Sequence, residues 1–464
     1  MRPVVRALVG VIVLVLIADV AALFTIDHKS LYPSKWDSRI SKLAAFVEDA
    51  RHLHYDHPVK VEFLTEAAYK KKTSASTQSL SAQDKKDIAN FEGEARALGL
   101  IGKTTSLFDS ENAIASGGTA AYYDSDAKEM VIRGTTLSVG LRVTIVHELT
   151  HALQDQHFDL NRSFDTEGGN SFFQALAEGD ATRIENAYVD QLSQAEQKAY
   201  FDEQDANSSQ AQDSLSGISP SLLQLFDAPY ALGEPMTTLI VDEKGVGELD
   251  ALFRHPPQSD EGMFNVFTLL DGQKPKTVAA PTLASGEKQT DAGDFGSVSW
   301  YLVLASFVDQ RTALAAVDGW GGDAYVGYRK NNLPCIRIAF EGDTPTDTAE
   351  MAAALNQWKV PFTENTVSVT ATANRVVLDA CEPKVVPKAL AGSDQSLTLP
   401  AARLDLVASV LAQGAPRATA ECFVKEFLVE ADLAKLNSDS AKDAQELFDL
   451  GVKIGRLCAK SQPA

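Results

Sequence analysis

Apolar residues recur three and four apart over long stretches of this chain and alternate over a few short ones. The two periods divide it into helices and strands. Helical spacing runs through 40–52, 83–98, 141–155, 169–205, 221–226, 233–242, 247–253, 297–308 and 346–359. Alternation marks strands at 59–64, 335–340, 367–371 and 375–381. Residues 120–124 and 129–133 read as a hairpin turning at 124–128. It stands either as core or as a cleft wall that pairs with an extended peptide. Polar or Gly/Pro-rich stretches at 70–82, 158–168, 206–216, 256–262 and 272–292 read as loops. A β-rich unit opens at Gly319-Trp-Gly-Gly-Asp323, 383–399 is a linker, and 402–413, 418–436 and 441–458 form a helical tail.

These elements predict an α+β fold. It consists of a mainly helical domain (31–318) with a small N-terminal sheet, a β-rich disulfide-linked unit (319–385) and a C-terminal helical module (386–464). A length of 464 residues allows two or three domains, and 45% apolar residues supports a sizeable core.

The first 30 residues read as targeting rather than fold. Arg2 and Arg6 precede an apolar run, 7–24, broken only by Asp19. A cleavable signal peptide would use Val20-Ala21-Ala22 as its small-residue site. An uncleaved anchor needs about 20 apolar residues, and the length of the run favours it. The basic flank would then stay in the cytoplasm and the remainder lie outside. Cysteine usage agrees with export: Cys335, Cys381, Cys422 and Cys458 are even in number and lack the spacing of a zinc site. Local pairing, Cys335–Cys381 and Cys422–Cys458, is expected. A net charge of −21 argues against nucleic acid as a partner, because phosphate binding needs a basic surface.

The candidate chemistry concentrates in His147-Glu148-Leu-Thr-His151. On a helix, histidines four apart point to one side and can reach one Zn²⁺, while Glu148 stands beside them as a base. Leu141, Ile145, Leu149 and Ala152 form the buried face, and Thr144, His147, Glu148, His151 and Asp155 a polar one. His52, His54 and His57 cluster at a helix-to-strand turn and read as solvated loop.

A catalytic zinc needs a third protein ligand. His157 lies six residues beyond His151, but Gln154 occupies the position where a chain turning back to the metal would need glycine. The helix should therefore continue and carry His157 away. Glu178 is the preferred ligand. It sits on a second helix among Ala175, Ala177, Gly179 and Ala181, where close packing would bury its charge. Glu185, Glu167 or no third protein ligand are the remaining alternatives.

With Glu178 downstream, the motif resembles the gluzincin zinc metallopeptidases. The longer string 147–156, together with Ala177-Glu-Gly-Asp-Ala181, looks like a group of exported or membrane-anchored bacterial metallopeptidase-like proteins. The strong part covers 143–188, with weaker echoes at 256–261 and 319–323. The resemblance implies a peptidase acting on a peptide or protein substrate, with His147, His151 and Glu178 holding Zn²⁺ and Glu148 as general base. The chain departs from the family pattern four residues after the glutamate, where Thr182 replaces an aspartate. Asp155 and Asp180 are therefore the candidates to orient the ligand histidines. Tyr188, Tyr230 and His255 are candidate donors to the oxyanion. Two other readings remain: an envelope binding or assembly protein that keeps the metal site without catalysis, and a zinc amidase acting on cell-wall peptides.

Overall fold

The computed structural model describes residues 32–73, 80–117, 120–215, 218–362, 366–432, 435 and 440–460. The N-terminal stretch expected to be a targeting segment lies outside them. Helix α1 (Ser41–Arg51) buries Leu43, Ala44 and Val47 on one face. Strand β1 (Lys60–Leu64) and helices α2 (Glu66–Thr73), α3 (Ala82–Ala97) and α4 (Leu107–Gly117) follow. The expected hairpin is β2 (Ala121–Asp124) and β3 (Glu129–Arg133). Strand β3 takes the centre of a three-stranded sheet, parallel to β1 and antiparallel to β2. The strand that leads into the motif helix is therefore core, and β1 and β2 are the edge strands.

The motif helix α5 (Val139–Phe158) starts at Ser138, whose side chain accepts from Leu141 N. Helix α6 (Glu167–Asp190) is capped by Thr166, and α7 (Gln194–Leu215) begins after a break at Ser193. The long helical stretch expected over 169–205 is thus two helices, and the expected break at 206–216 is helix through Leu215. Two short helices expected at 221–226 and 233–242 are one, α8 (Pro220–Lys244), with Pro229 and Pro235 inside it. Each proline removes a backbone hydrogen bond. Burial of Leu232, Met236, Leu239 and Ile240 along the helix offsets that loss.

Helices α9 (Val246–Arg254) and α10 (Val266–Leu270) lead to β4 (Lys288–Gly293), a strand inside a stretch expected to be loop. Then come α11 (Ser297–Ala305), α12 (Gln310–Asp318), β5 (Trp320–Lys330), β6 (Leu333–Gly342), α13 (Pro345–Trp358), β7 (Val367–Ala371) and β8 (Val376–Cys381). The second sheet is antiparallel in the order β4-β5-β6-β8-β7. Helices α14 (Thr398–Ala412), α15 (Arg417–Glu430) and α16 (Ala441–Lys460) complete the chain. The fold is α+β and mainly helical, as expected. Both expected disulfides are formed: Cys335–Cys381 joins β6 to β8, and Cys422–Cys458 joins α15 to α16.

Two packed regions meet at the motif helix. One surrounds α1, the first sheet and α5, while the other runs from α6 and α8 through α11 to the second sheet. Helices α6 and α8 touch backbone to backbone. A Cβ on Gly179 would lie 2.1 Å from Gly233 O, and one on Gly233 would lie 2.3 Å from Ala175 O.

Three aspartates, of which Asp260 and Asp323 are buried, fix the start of α6 and α11. Asp294 accepts from Glu167 N and Gly168 N. Asp260 accepts from Ser297 N, Ser297 Oγ and Val298 N. Asp323 accepts from Phe295 N, Gly296 N and the indoles of Trp300 and Trp320. The sequence echoes at 256–261 and 319–323 thus carry Asp260 and Asp323, whose work here is to cap helices and brace loops.

Next to Asp260, Glu261 is buried with Oε1 unbonded. Burial, then the charges of Asp343, Asp260 and Asp318, pushes its carboxyl up to about 8. An unfolded glutamate titrates near 4.3. The folded state therefore holds the proton over the intervening range, and the stability this gives is lost as pH rises through about 8. Denaturant melts should show stability falling between pH 5 and pH 9, with Glu261→Gln flattening the slope. An unchanged slope in the variant would contradict this account.

Candidate metal centre

Helix α5 presents His147 and His151 on one face, toward α6, which presents Glu178. His147 Nε2 and His151 Nε2 stand 3.0 Å apart, and each is 3.2 Å from Glu178 Oε2. Ligand atoms about 2.0–2.1 Å from one tetrahedral metal lie roughly 3.3 Å from each other, so the triangle has nearly the size such a metal requires. Among the described residues, these three are the His/Cys/Asp/Glu group able to hold a metal ion.

The far side of each ring shows which nitrogen carries hydrogen. Gln154 Nε2 donates to Ala177 O and Asp180 Oδ2, both at 3.0 Å, so its Oε1 faces His151 Nδ1 at 3.0 Å as an acceptor. His151 Nδ1 must therefore donate. His147 Nδ1 likewise faces the Glu185 carboxylate, at 3.0 Å. In the neutral rings both Nε2 atoms are bare lone pairs, and Glu178 Oε2 offers a third. Three lone pairs converging inside a protein need a cation. Burial pushes Glu178 up, but His151 and His147 outweigh it and hold the carboxylate well below its usual range. The same carboxylate, with Glu185, raises His147 against the effect of burial.

A buried charge relay supports this side of the site. Asp180 is fully buried and accepts from Arg51 Nε at 2.7 Å and Arg183 Nη2 at 2.8 Å. Arg51, on α1, also donates to Asp250 of α9 at 2.5 Å. The order Asp250–Arg51–Asp180–Gln154–His151 ties the ring to three other helices. Sequence reasoning named Asp180 but missed Gln154 as the group between it and the ring. It also missed Arg51, which lies 129 residues from its partner.

The other candidates are placed as follows. Asp155 does not touch either ring. Its carboxylate takes Tyr123 OH and Lys128 Nζ, both at 2.7 Å, and so pins the hairpin to α5. Glu185 is the partner of His147 Nδ1 rather than a member of the triangle. Glu167 lies at the far end of α6. Helix α5 runs on through Gln154, and His157 Nε2 faces His54 O at 2.8 Å, away from the triad. His52 ends α1 in a left-handed conformation, and His57 stacks on Tyr32. Of the three oxyanion candidates, Tyr230 is at the site, with its hydroxyl bonded to Glu178. Tyr188 packs on Phe46, and His255 ends α9 exposed to solvent.

Glu148 Oε2 accepts from Tyr123 N at 2.7 Å. Burial raises its pKa. The Tyr123 N–H that reaches it points off the free edge of β2, so that edge runs beside the triad. No family model, curated protein or solved structure matches this chain.

Ligand histidines lose roughly 10–100-fold in metal affinity when the partner of the second nitrogen is removed. Gln154→Ala should weaken zinc retention in a chelator competition by that order. Arg51→Met leaves the buried Asp180 and the part-buried Asp250 short of a partner and should cost about 3–5 kcal/mol in denaturant melts. Wild-type behaviour in both variants would show that the relay does not hold the site.

Proposed function

We propose that this chain is a zinc-dependent metallopeptidase of gluzincin type, hydrolysing peptide bonds outside the cytoplasmic membrane. The observation that carries the reading is the His147–His151–Glu178 triangle with Glu148 beside it on the same helix. Two imidazoles and one carboxylate are a donor set of catalytic zinc sites, which keep one position open. When bound, zinc lowers the pKa of its water to about 7 and polarises the scissile carbonyl.

The protein's own groups supply the rest. Glu148 takes a proton from the attacking water and gives it to the leaving amine. Its raised pKa favours holding that proton in between. Tyr230, with its hydroxyl against Glu178, is positioned to donate to the developing oxyanion. An extended peptide added to the edge of β2 would run past Glu148, with main-chain hydrogen bonds fixing its register. A carboxylate beside the triad favours an enzyme over an assembly protein, although Glu148 also ties Tyr123 N to the motif helix. An amidase acting on cell-wall peptides would use the same groups on a different substrate. The two disulfides favour an oxidising compartment. Membrane attachment rests on the N-terminal segment; among the described residues no helix is long and apolar enough to cross a membrane.

His147→Ala and His151→Ala should abolish zinc in elemental analysis, and Glu178→Ala should lower its affinity. Glu148→Gln should keep zinc while losing about 10²–10⁴-fold in peptide hydrolysis. His157→Ala should change neither. Zinc bound unchanged in both histidine variants, or full hydrolysis by Glu148→Gln, would overturn the assignment.

A further inference from the structure

Helix α6 carries a polar stripe away from the triad. Gln174, Ser171 and Glu167 lie four, seven and eleven residues before Glu178, and so share its face. Ser171 and Gln174 line a small cavity against Ala228 and Pro229 of α8. That cavity shares Glu167, Leu225, Phe295 and Ser299 with a second one of about 70 Å³. The second is walled mainly by apolar groups, among them Leu98, Leu222 and Leu302, and Glu94 of α3 lines it. From Glu178 to Glu167 the helix rises about 16 Å, the length of about five extended residues.

Glu94 is the unexplained group. It is 7% exposed. Thr290 Oγ1 donates to its Oε1 at 3.1 Å, and that oxygen sits over Gly327, where a Cβ would lie 2.2 Å away. Among the described residues no cation forms an ion pair with it. The nearby Arg329 gives both Nε and Nη2 to Asn90 Oδ1. The neighbouring acids have other work: Asp291 holds Tyr325 OH, and Asp294 caps α6. A buried carboxylate without a counter-charge is costly and normally marks a missing partner. Burial, then the charge of Asp291, pushes this one up to about 8, and the opposing Thr290 hydrogen bond and Arg329 charge do not offset them.

We propose that this cavity is a specificity subsite for a lysine or arginine side chain of the peptide substrate. The apolar walls cover its methylene stem, and Glu94 meets its cationic head. The shape suits such a side chain, which needs apolar cover along its length and a polar end. The occupied side chain would stand about three to five residues from the scissile bond. The proposal rests on the peptidase reading for its substrate, but the pairing with Glu94 can be measured as binding alone.

The test uses full-length, zinc-loaded protein and matched peptides carrying lysine, arginine, norleucine or glutamine at each position within five residues of the cleaved bond. Cleavage is read in the wild type, and binding by fluorescence anisotropy in Glu148→Gln. Lysine or arginine should be preferred over norleucine about tenfold or more at one position, the worth of one hydrogen bond to a charged group. Glu94→Gln should bring that ratio close to one, with zinc content and melting temperature reporting its fold. Leu225→Lys, which sets an ammonium into the cavity from its wall, should also remove the preference and serves if Glu94→Gln does not fold. No preference for a basic residue, or one that survives both substitutions, overturns the subsite. Basic preference in binding without any cleavage supports the subsite and counts against the peptidase reading; cleavage without basic preference does the reverse.

Discussion

A carboxylate shut away from water has to be answered by positive charge, and Glu178 is 2% exposed. Much of the molecule follows from that demand. The two imidazoles nearest it turn their bare nitrogens inward, because their outer nitrogens are committed to Gln154 and Glu185. With the rings neutral, the inner face is rich in lone pairs, which is the condition for holding a metal ion. The same demand recurs one layer out. Asp180, equally buried, is answered by Arg51 and Arg183, and through Gln154 it fixes the ring of His151. Polar networks of this kind rigidify a core only when every member is bonded. Bonds of 2.5–3.0 Å link each residue of this one to the next, while Arg51 Nη1 and Arg183 Nε have no partner among the described residues.

Position depends on backbone packing as much as on charge. The Gly179–Gly233 contact brings α8 close enough for Tyr230 to reach Glu178. A Cβ at either position would force the helices apart. The caps supplied by Asp294, Asp260 and Asp323 hold the start of α6 against the second sheet and α11. The β-rich unit therefore bears on the site through the entry angle of α6, without contributing a residue to the triad. At the other end of α5, Tyr123 ties β2 down twice, through its amide to Glu148 and its hydroxyl to Asp155.

The parts legible in the sequence were those encoded over short distances. The four-residue spacing of His147 and His151 placed both on one face, and Gln154 told correctly that the helix would run on past His157. The alanines and glycine around Glu178 announced close helix packing and hence burial. Both disulfides followed from local pairing. What was missed depends on contacts between distant segments. Arg51 ends a helix of ordinary composition, and nothing near it reveals a partner 129 residues away. Strand β4 has a polar, nearly pattern-free sequence, because it lies at a sheet edge and needs only one paired side. Two helices were expected at 221–226 and 233–242 where tertiary burial holds one, running through Pro229 and Pro235. Asp155 stood on the right stripe, but hairpin contacts claimed it first.

The central claim is that one metal ion sits among His147, His151 and Glu178. Anomalous diffraction at the zinc edge, on crystals of the zinc-loaded protein, tests it most directly. The account predicts a single strong peak within bonding distance of His147 Nε2, His151 Nε2 and Glu178 Oε2, with Glu148 outside that shell. A peak at His52, His54 and His57, a shell in which Glu185 or His157 replaces Glu178, or no peak at the triad would contradict it.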